Sequence, residues 1–237
     1  FGVGAAVISS MGKILERICF SLSDEVFVES ESAVRFLGLD RYEDKISVNG
    51  AMYVDTAVFK MKKRVAKRKN LVGYIGRFSE EKGVMNFVMA IPLILRELGD
   101  VEFLVGGGGA LFDKIIRELQ RTKLHNKVNL TGWIPHEKVP DYLNELRLLV
   151  LPSYTEGLPG IVQEAMACGT PVLATAVGGI PDLIKHLKTG FILGNNSPEG
   201  IARAAIDSLH CGKLSEIAEN ARRFVEQEYT YEAMVKK

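Results

Sequence analysis

Zinc-ligand spacing and a disulfide framework are both missing from this chain. The cysteines Cys19, Cys168 and Cys211 are odd in number and far apart, and none belongs to a CxxC pair. That pattern excludes the common structural zinc sites and predicts reduced thiols in a cytosolic compartment. A charge imbalance is missing too: 30 basic against 29 acidic residues give +1, so no global field draws the chain to nucleic acid or a membrane. Long apolar runs are short of what a bilayer needs. The opening FGVGAAVISSM is apolar for about eleven residues before Lys13, Glu16 and Arg17 interrupt it. A membrane span takes roughly 20 apolar residues, and a secretory signal begins with a basic region. The first residue is Phe1 rather than methionine, and the expectation is that the natural start is missing: a fragment, a processed form, or a longer protein with its first part upstream. The GxGxxG pattern is absent as well. Gly106–Gly109 run together, but Leu111 and Phe112 stand where the last glycine would, so no dinucleotide-binding turn is read there.

What is present is a pattern. The 237 residues are 47% hydrophobic and 25% charged, enough for one large or two small globular domains. Apolar spacing predicts a helix at 13–22, a strand at 24–30, a helix at 32–39 closed by Gly38, and a strand at 45–50 ending in an Asn-Gly turn. From residue 70 the alternation is regular. Strands are predicted at 71–75, 101–105, 128–130, 148–151, 172–174 and 191–193. Helices are predicted between them at 84–98, 111–119, 137–146, 159–168 and 181–186. Two more, at 198–211 and 213–228, and a last segment at 231–237 follow. Strands alternating with helices mean parallel pairing and right-handed crossovers, hence an α/β protein with a Rossmann-like doubly wound parallel sheet. The first 60 residues supply two strands, too few for a comparable domain.

Between these parts lies KMKKRVAKRK, residues 60–69, in which seven of ten residues are Lys or Arg. It reads as a solvated linker. A second reading is attraction to an anionic lipid surface, where each basic side chain can contribute on the order of 1 kcal/mol.

The stretch 151–184, LPSYTEGLPGIVQEAMACGTPVLATAVGGIPDLI, holds two glutamates eight positions apart, Glu156 and Glu164. Glu156 falls in a turn just past a strand end, where α/β proteins bind ligands, and its carboxylate can accept from sugar hydroxyls. Gly157, Leu158, Pro159, Gly160 and Ile161 lead into a helix, whose N–H groups other than that of Pro159 face whatever binds there. Glu164, one turn into that helix, can hold a vicinal diol such as ribose; its bland reading is a solvated glutamate favouring the helix dipole. Paired-carboxylate glycosidase chemistry is a rival use that the spacing does not establish. Arg77 and Lys82, in GRFSEEKG, flank the end of the strand at 71–75, with Lys82 expected to open the next helix. Two cations there can neutralise a diphosphate; otherwise they are surface partners of Glu80 and Glu81. Asp182 follows GGIP. His125, His136, His186 and His210 read as ordinary surface or structural residues, and Cys168 as core.

The segments GRFSEEKG, VGGGG, LTGWIP and 152–184 together resemble the donor half of a retaining glycosyltransferase of the GT-B fold, of the family 4 or group 1 type that includes mannosyl- and glucosyltransferases. The resemblance covers about 70–230 and continues upstream in DEVFVES and KISVNGAMYVDTAVF. It implies three parts: 1–59 as the incomplete, Rossmann-like end of an N-terminal acceptor-side domain, 60–69 as linker, and 70–237 as the nucleotide-sugar donor domain. It also implies roles. Glu156 would contact the donor sugar and stabilise positive charge at the anomeric carbon. Arg77 and Lys82 would hold the leaving diphosphate in place of a metal, with no other cofactor. Glu164 would bind ribose. Gly106 and the 157–161 turn would border the donor, and backbone near Trp133 and Ile134 would meet the base. The implied substrate is a UDP-, GDP- or ADP-linked sugar and the implied acceptor a glycan or a lipid-linked acceptor. Location would be cytoplasmic, with 60–69 as the stretch able to meet the membrane face. Where the family has Glu, this chain has Asp182, and the family's catalytic histidine has no counterpart here. The expectation is little transfer by this chain alone. The alternatives are a non-catalytic nucleotide-sugar or phosphosugar binding module, and a sugar phosphorylase or epimerase on the same fold.

Overall fold

The computed structural model describes residues 3–48 and 53–235. A small unit comes first. Helix α1 (Val3–Leu22), strand β1 (Val26–Val28), helix α2 (Glu31–Leu37) and strand β2 (Ile46–Val48) follow in order. The two strands pair in parallel, and Val26, Val28 and Leu39 are buried between them and the helices. Strand β1 is shorter than expected because Ser30 already caps α2, accepting from Ala33 N–H. Gly38 closes α2 in the left-handed region, as the pattern predicted. A 3-10 turn at Asp40–Lys45 was not foreseen, and the Asn-Gly turn falls outside the described residues.

The larger unit holds β3 (Leu71–Ile75), α3 (Val84–Glu97), β4 (Glu102–Gly106), α4 (Phe112–Arg121), β5 (Val128–Gly132), α5 (Val139–Glu145) and β6 (Leu148–Leu151). It continues with α6 (Gly160–Ala167), β7 (Val172–Thr175), α7 (Ile180–Leu183), β8 (Phe191–Leu193), α8 (Pro198–Leu209), α9 (Leu214–Glu228) and α10 (Tyr231–Met234). All six strands run parallel in the order β5-β4-β3-β6-β7-β8. Helices cover both faces, so every residue of β6 and β7 is buried; β6 reads as an unbroken apolar run and β7 is apolar up to Thr175. Gly73 of β3 is required by packing, since a Cβ there would lie 2.4 Å from Leu146 Cδ2. The α/β fold and doubly wound sheet are therefore as the pattern predicts.

This strand order reverses direction between β3 and β6. Ligands bind such sheets at the carboxyl ends of the two strands flanking that switch point. The loops leaving β3 and β6 carry Arg77, Lys82 and Glu156.

In the basic run Lys60, Lys62, Arg64, Lys67 and Lys69 are exposed, as a solvated connection requires, but Arg68 is not. Arg68 is 4% exposed. Its guanidinium donates to the carbonyls of Lys63, Leu143, Leu146 and Cys168 and to Thr170 Oγ1, at 2.7–3.1 Å. Asn144 Oδ1 accepts from the backbone N–H of Lys62 at 2.6 Å. Lys62 and Lys63 pair with Asp141 and Glu145 on the same helix α5. Side chains of the run thus dock it onto α5 and the end of α6. Burial lowers the Arg68 pKa to about 10, with Cys168 and Glu145 opposing, so the side chain is charged at neutral pH.

Candidate functional site

Lys82 does not open α3 as expected. It ends a 3-10 turn, Glu80–Lys82, and Gly83 separates it from the helix. Gly83 has φ +65° and sits where a Cβ would lie 2.1 Å from Pro152 O, so the loops after β3 and β6 touch backbone to backbone. Tyr154 N–H donates to Glu81 O at 2.8 Å across the same contact. That proximity brings Lys82 Nζ to 2.7 Å from Glu156 Oε2, while Ser153 Oγ donates to Glu156 Oε1 at 2.6 Å. Ser153 is held in turn by Thr175, whose hydroxyl donates to Ser153 O.

Arg77 stands at the mouth, its side chain 72% exposed and 3.8 Å from Glu81. Its backbone is fixed from below: Tyr74 Oη donates to Arg77 O at 2.7 Å. Burial, and then the charge of Glu156, push the Tyr74 phenol well above its ordinary range, so it is a donor at any ordinary pH. A hydrogen bond from Ser79, with Arg77 nearby, holds the Glu81 carboxyl below its usual range.

Beside Arg77 lies a cavity of about 320 Å³ lined by Ile75, Gly76, Arg77, Gly107, Gly108, Trp133 and Ile134. Trp133 is exposed and Ile134 buried. Gly106 is not part of this lining; a Cβ there would meet Ile134 at 2.5 Å. Gly107 and Gly109 adopt positive φ, and their Cβ atoms would strike Gly76 O and Phe78 O. The glycine run lets the β3 and β4 loops approach each other closely.

The turn after Glu156 is framed from two sides. Gly179 N–H donates to Gly157 O at 2.7 Å. Gly178, at φ +55°, is where a Cβ would fall 1.8 Å from Glu156 O. From the small unit, Glu29 Oε2 accepts from Leu158 N–H at 2.9 Å. The Leu158 amide is therefore taken by the protein itself, unlike the expectation that it faces a ligand. Pro159 caps α6, which starts at Gly160 and carries Ile161 in its first turn. Asp182 accepts from Ser32 N–H at 2.9 Å and from Ser32 Oγ at 2.5 Å, so it joins the two units.

Glu164 lies on α6, and His136 Nε2 is 2.9 Å from its Oε1. This pairing was missed in the sequence, where His136 reads as an ordinary histidine with no local partner. Its one signal is position: it follows Trp133 by three residues and Ile134 by two in LTGWIPH. Among the described residues no three His, Cys, Asp or Glu side chains gather into a metal site, and no helix is long and apolar enough to cross a membrane.

With this geometry described, comparison with known proteins is specific. The family described as glycosyl transferases group 1 matches residues 55–225. A 2-deoxystreptamine N-acetyl-D-glucosaminyltransferase of Niallia circulans is 31% identical over 148 residues, 62% of this chain and 38% of that protein. Sucrose-phosphate synthase from Thermosynechococcus elongatus has a TM-score of 0.80 at 24% identity, over 94% of this chain and 58% of that one. Anabaena HepE, solved with UDP and glucose, has a TM-score of 0.78 at 18% identity, over 94% of this chain and 64% of that one. The chain spans less than half the length of the first of these relatives. The fold is that of GT-B glycosyltransferases, and the chain belongs to the glycosyl transferases group 1 family.

Proposed function

We propose that this chain binds the donor for a hexosyltransferase, which moves a hexose from a nucleoside diphosphate sugar to an acceptor hydroxyl with retention and without a metal. The observation that carries this reading is the Lys82–Glu156 pair at the sheet's switch point, 2.7 Å apart and beside Arg77. Arg77 and Lys82 hold the diphosphate and neutralise it as it leaves. Glu156 meets the sugar and stabilises positive charge at the anomeric carbon. Such preorganised charge is often the largest catalytic contribution, with one group worth roughly 3 kcal/mol. The cavity between Ile75, Gly108 and Trp133 takes the base, and Glu164 takes the ribose. HepE, solved with UDP and glucose, supports a donor of this class. Transfer by these 237 residues alone is weak. Positioning both reactants is worth roughly 7–11 kcal/mol, and among its described residues the small unit offers two strands toward a second wall.

Thermal shift against UDP-, GDP- and ADP-sugars tests the proposal. A donor at 100 times its dissociation constant stabilises by about 2.7 kcal/mol. The shift should vanish in Lys82→Met. No shift with any of the three classes overturns the reading.

A further inference from the structure

Glu164 is only partly open, with 18% of its side chain exposed, whereas its partner His136 is 72% exposed. A carboxylate only accepts, so opposite the Glu164 carboxylate the imidazole tautomer with its proton on Nε2 is the one that pairs, donating to Oε1 at 2.9 Å. The ring is not loosely placed. Phe59, buried at 3% exposure, packs on it with centroids 5.2 Å apart. Phe59 belongs to the segment that precedes the basic run, so the imidazole is braced by a different part of the chain from the helix it serves.

A carboxylate that grips a vicinal diol must present both oxygens in a set direction. One donor on Oε1 fixes the rotation of the carboxylate, leaves a second lone pair on Oε1, and leaves Oε2 open. We propose that His136 is a positioning residue for ribose recognition: it orients Glu164 so that the carboxylate accepts from both ribose hydroxyls of a nucleoside diphosphate. The inference rests on the proposed role of Glu164.

Calorimetric titration of the full chain with UDP, GDP and ADP, each beside its 2′-deoxy counterpart, tests it. His136→Ala should weaken binding of the preferred ribonucleotide about threefold to tenfold, the worth of one hydrogen bond. Binding of the 2′-deoxy compound should change less than twofold. His136→Phe keeps a ring against Phe59 but has no N–H, and should lose as much as His136→Ala. His136→Gln places an amide donor near the position of Nε2 and should recover most of the loss. On a Glu164→Ala background, His136→Phe should cost nothing further. Equal losses for ribo and deoxy ligands, additive losses with Glu164→Ala, or wild-type binding by His136→Phe overturn the inference. If Glu164→Ala weakens ribonucleotide binding while the His136 variants do not, His136 has no such role and the ribose reading survives. If Glu164→Ala binds like wild type, or no nucleotide binds, the ribose reading itself falls and the inference falls with it.

Discussion

Lys82 Nζ and Glu156 Oε2 lie 2.7 Å apart, with the carboxylate almost closed to water at 6% exposure and the ammonium at 24%. This asymmetry makes the carboxylate dependent on its partners. Removing Lys82 leaves a nearly buried charge held by Ser153 alone. Lys82→Met should therefore destabilise the fold by about 1–3 kcal/mol. By contrast Lys62→Met, at an exposed pair, should cost less than about 1 kcal/mol. Glu156→Gln should recover part of the Lys82→Met loss. Urea unfolding of the two single variants and the double variant measures this, and strict additivity would contradict the coupling.

Arg68 donates five hydrogen bonds from a buried position. Arg68→Met strips donors from several carbonyls and should cost about 3–5 kcal/mol. Arg68→Lys keeps the charge but not the planar fork, and should still lose more than half of that. Denaturant midpoints of the two variants decide; a loss under about 1 kcal/mol for either would show the network to be dispensable.

Burial pushes the Cys168 thiol from 9.0 up to about 12. The folded state keeps this proton where the unfolded state releases it, so the contribution is complete below pH 9 and lost as pH rises toward 12. Wild type should lose about 1.4 kcal/mol per pH unit in that window relative to Cys168→Ala. At neutral pH a thiol reagent should label exposed Cys19 quickly and Cys168 only after unfolding. Rapid labelling of Cys168 in the folded protein would contradict its burial.

Gly178 combines φ +55° with a backbone oxygen 1.8 Å from any Cβ. Gly178→Ala should cost about 2 kcal/mol or more through strain and displacement of Glu156 O. Gly194→Ala, which meets nothing within 4 Å, should stay within about 0.5 kcal/mol. Equal thermal unfolding of these two variants would argue against a rigid turn.

Much of the fold was legible because strands buried on both faces leave continuous apolar runs, as in 148–151 and 172–174. Arg77, Lys82 and Glu156 stood out in the sequence because a charge in a turn just past a parallel strand meets a ligand or a partner, and Glu164 because it lies one turn into the helix that follows. What escaped depends on distance along the chain. Arg68 looked solvated among six other cations, since four of its five acceptors lie 75–102 residues away. His136 had no near partner, since Glu164 is 28 residues on. Lys82 was placed on the helix because nothing local shows that Gly83 folds back against Pro152. Side-chain periodicity reports which face is buried and is blind to which carbonyl a guanidinium will find.

Glu29 and Leu158, 129 residues apart, share one hydrogen bond. An amide has a single proton to give. A hydroxyl or anion that claims Leu158 N–H must displace Glu29, and the small unit then loses one of its anchors on the larger one. By reciprocity, whatever strengthens the seat of the small unit weakens such an occupant by the same free energy. The peptide linking Gly157 to Leu158 is thus a shared currency between the turn's contents and the attachment of residues that lie more than a hundred positions earlier.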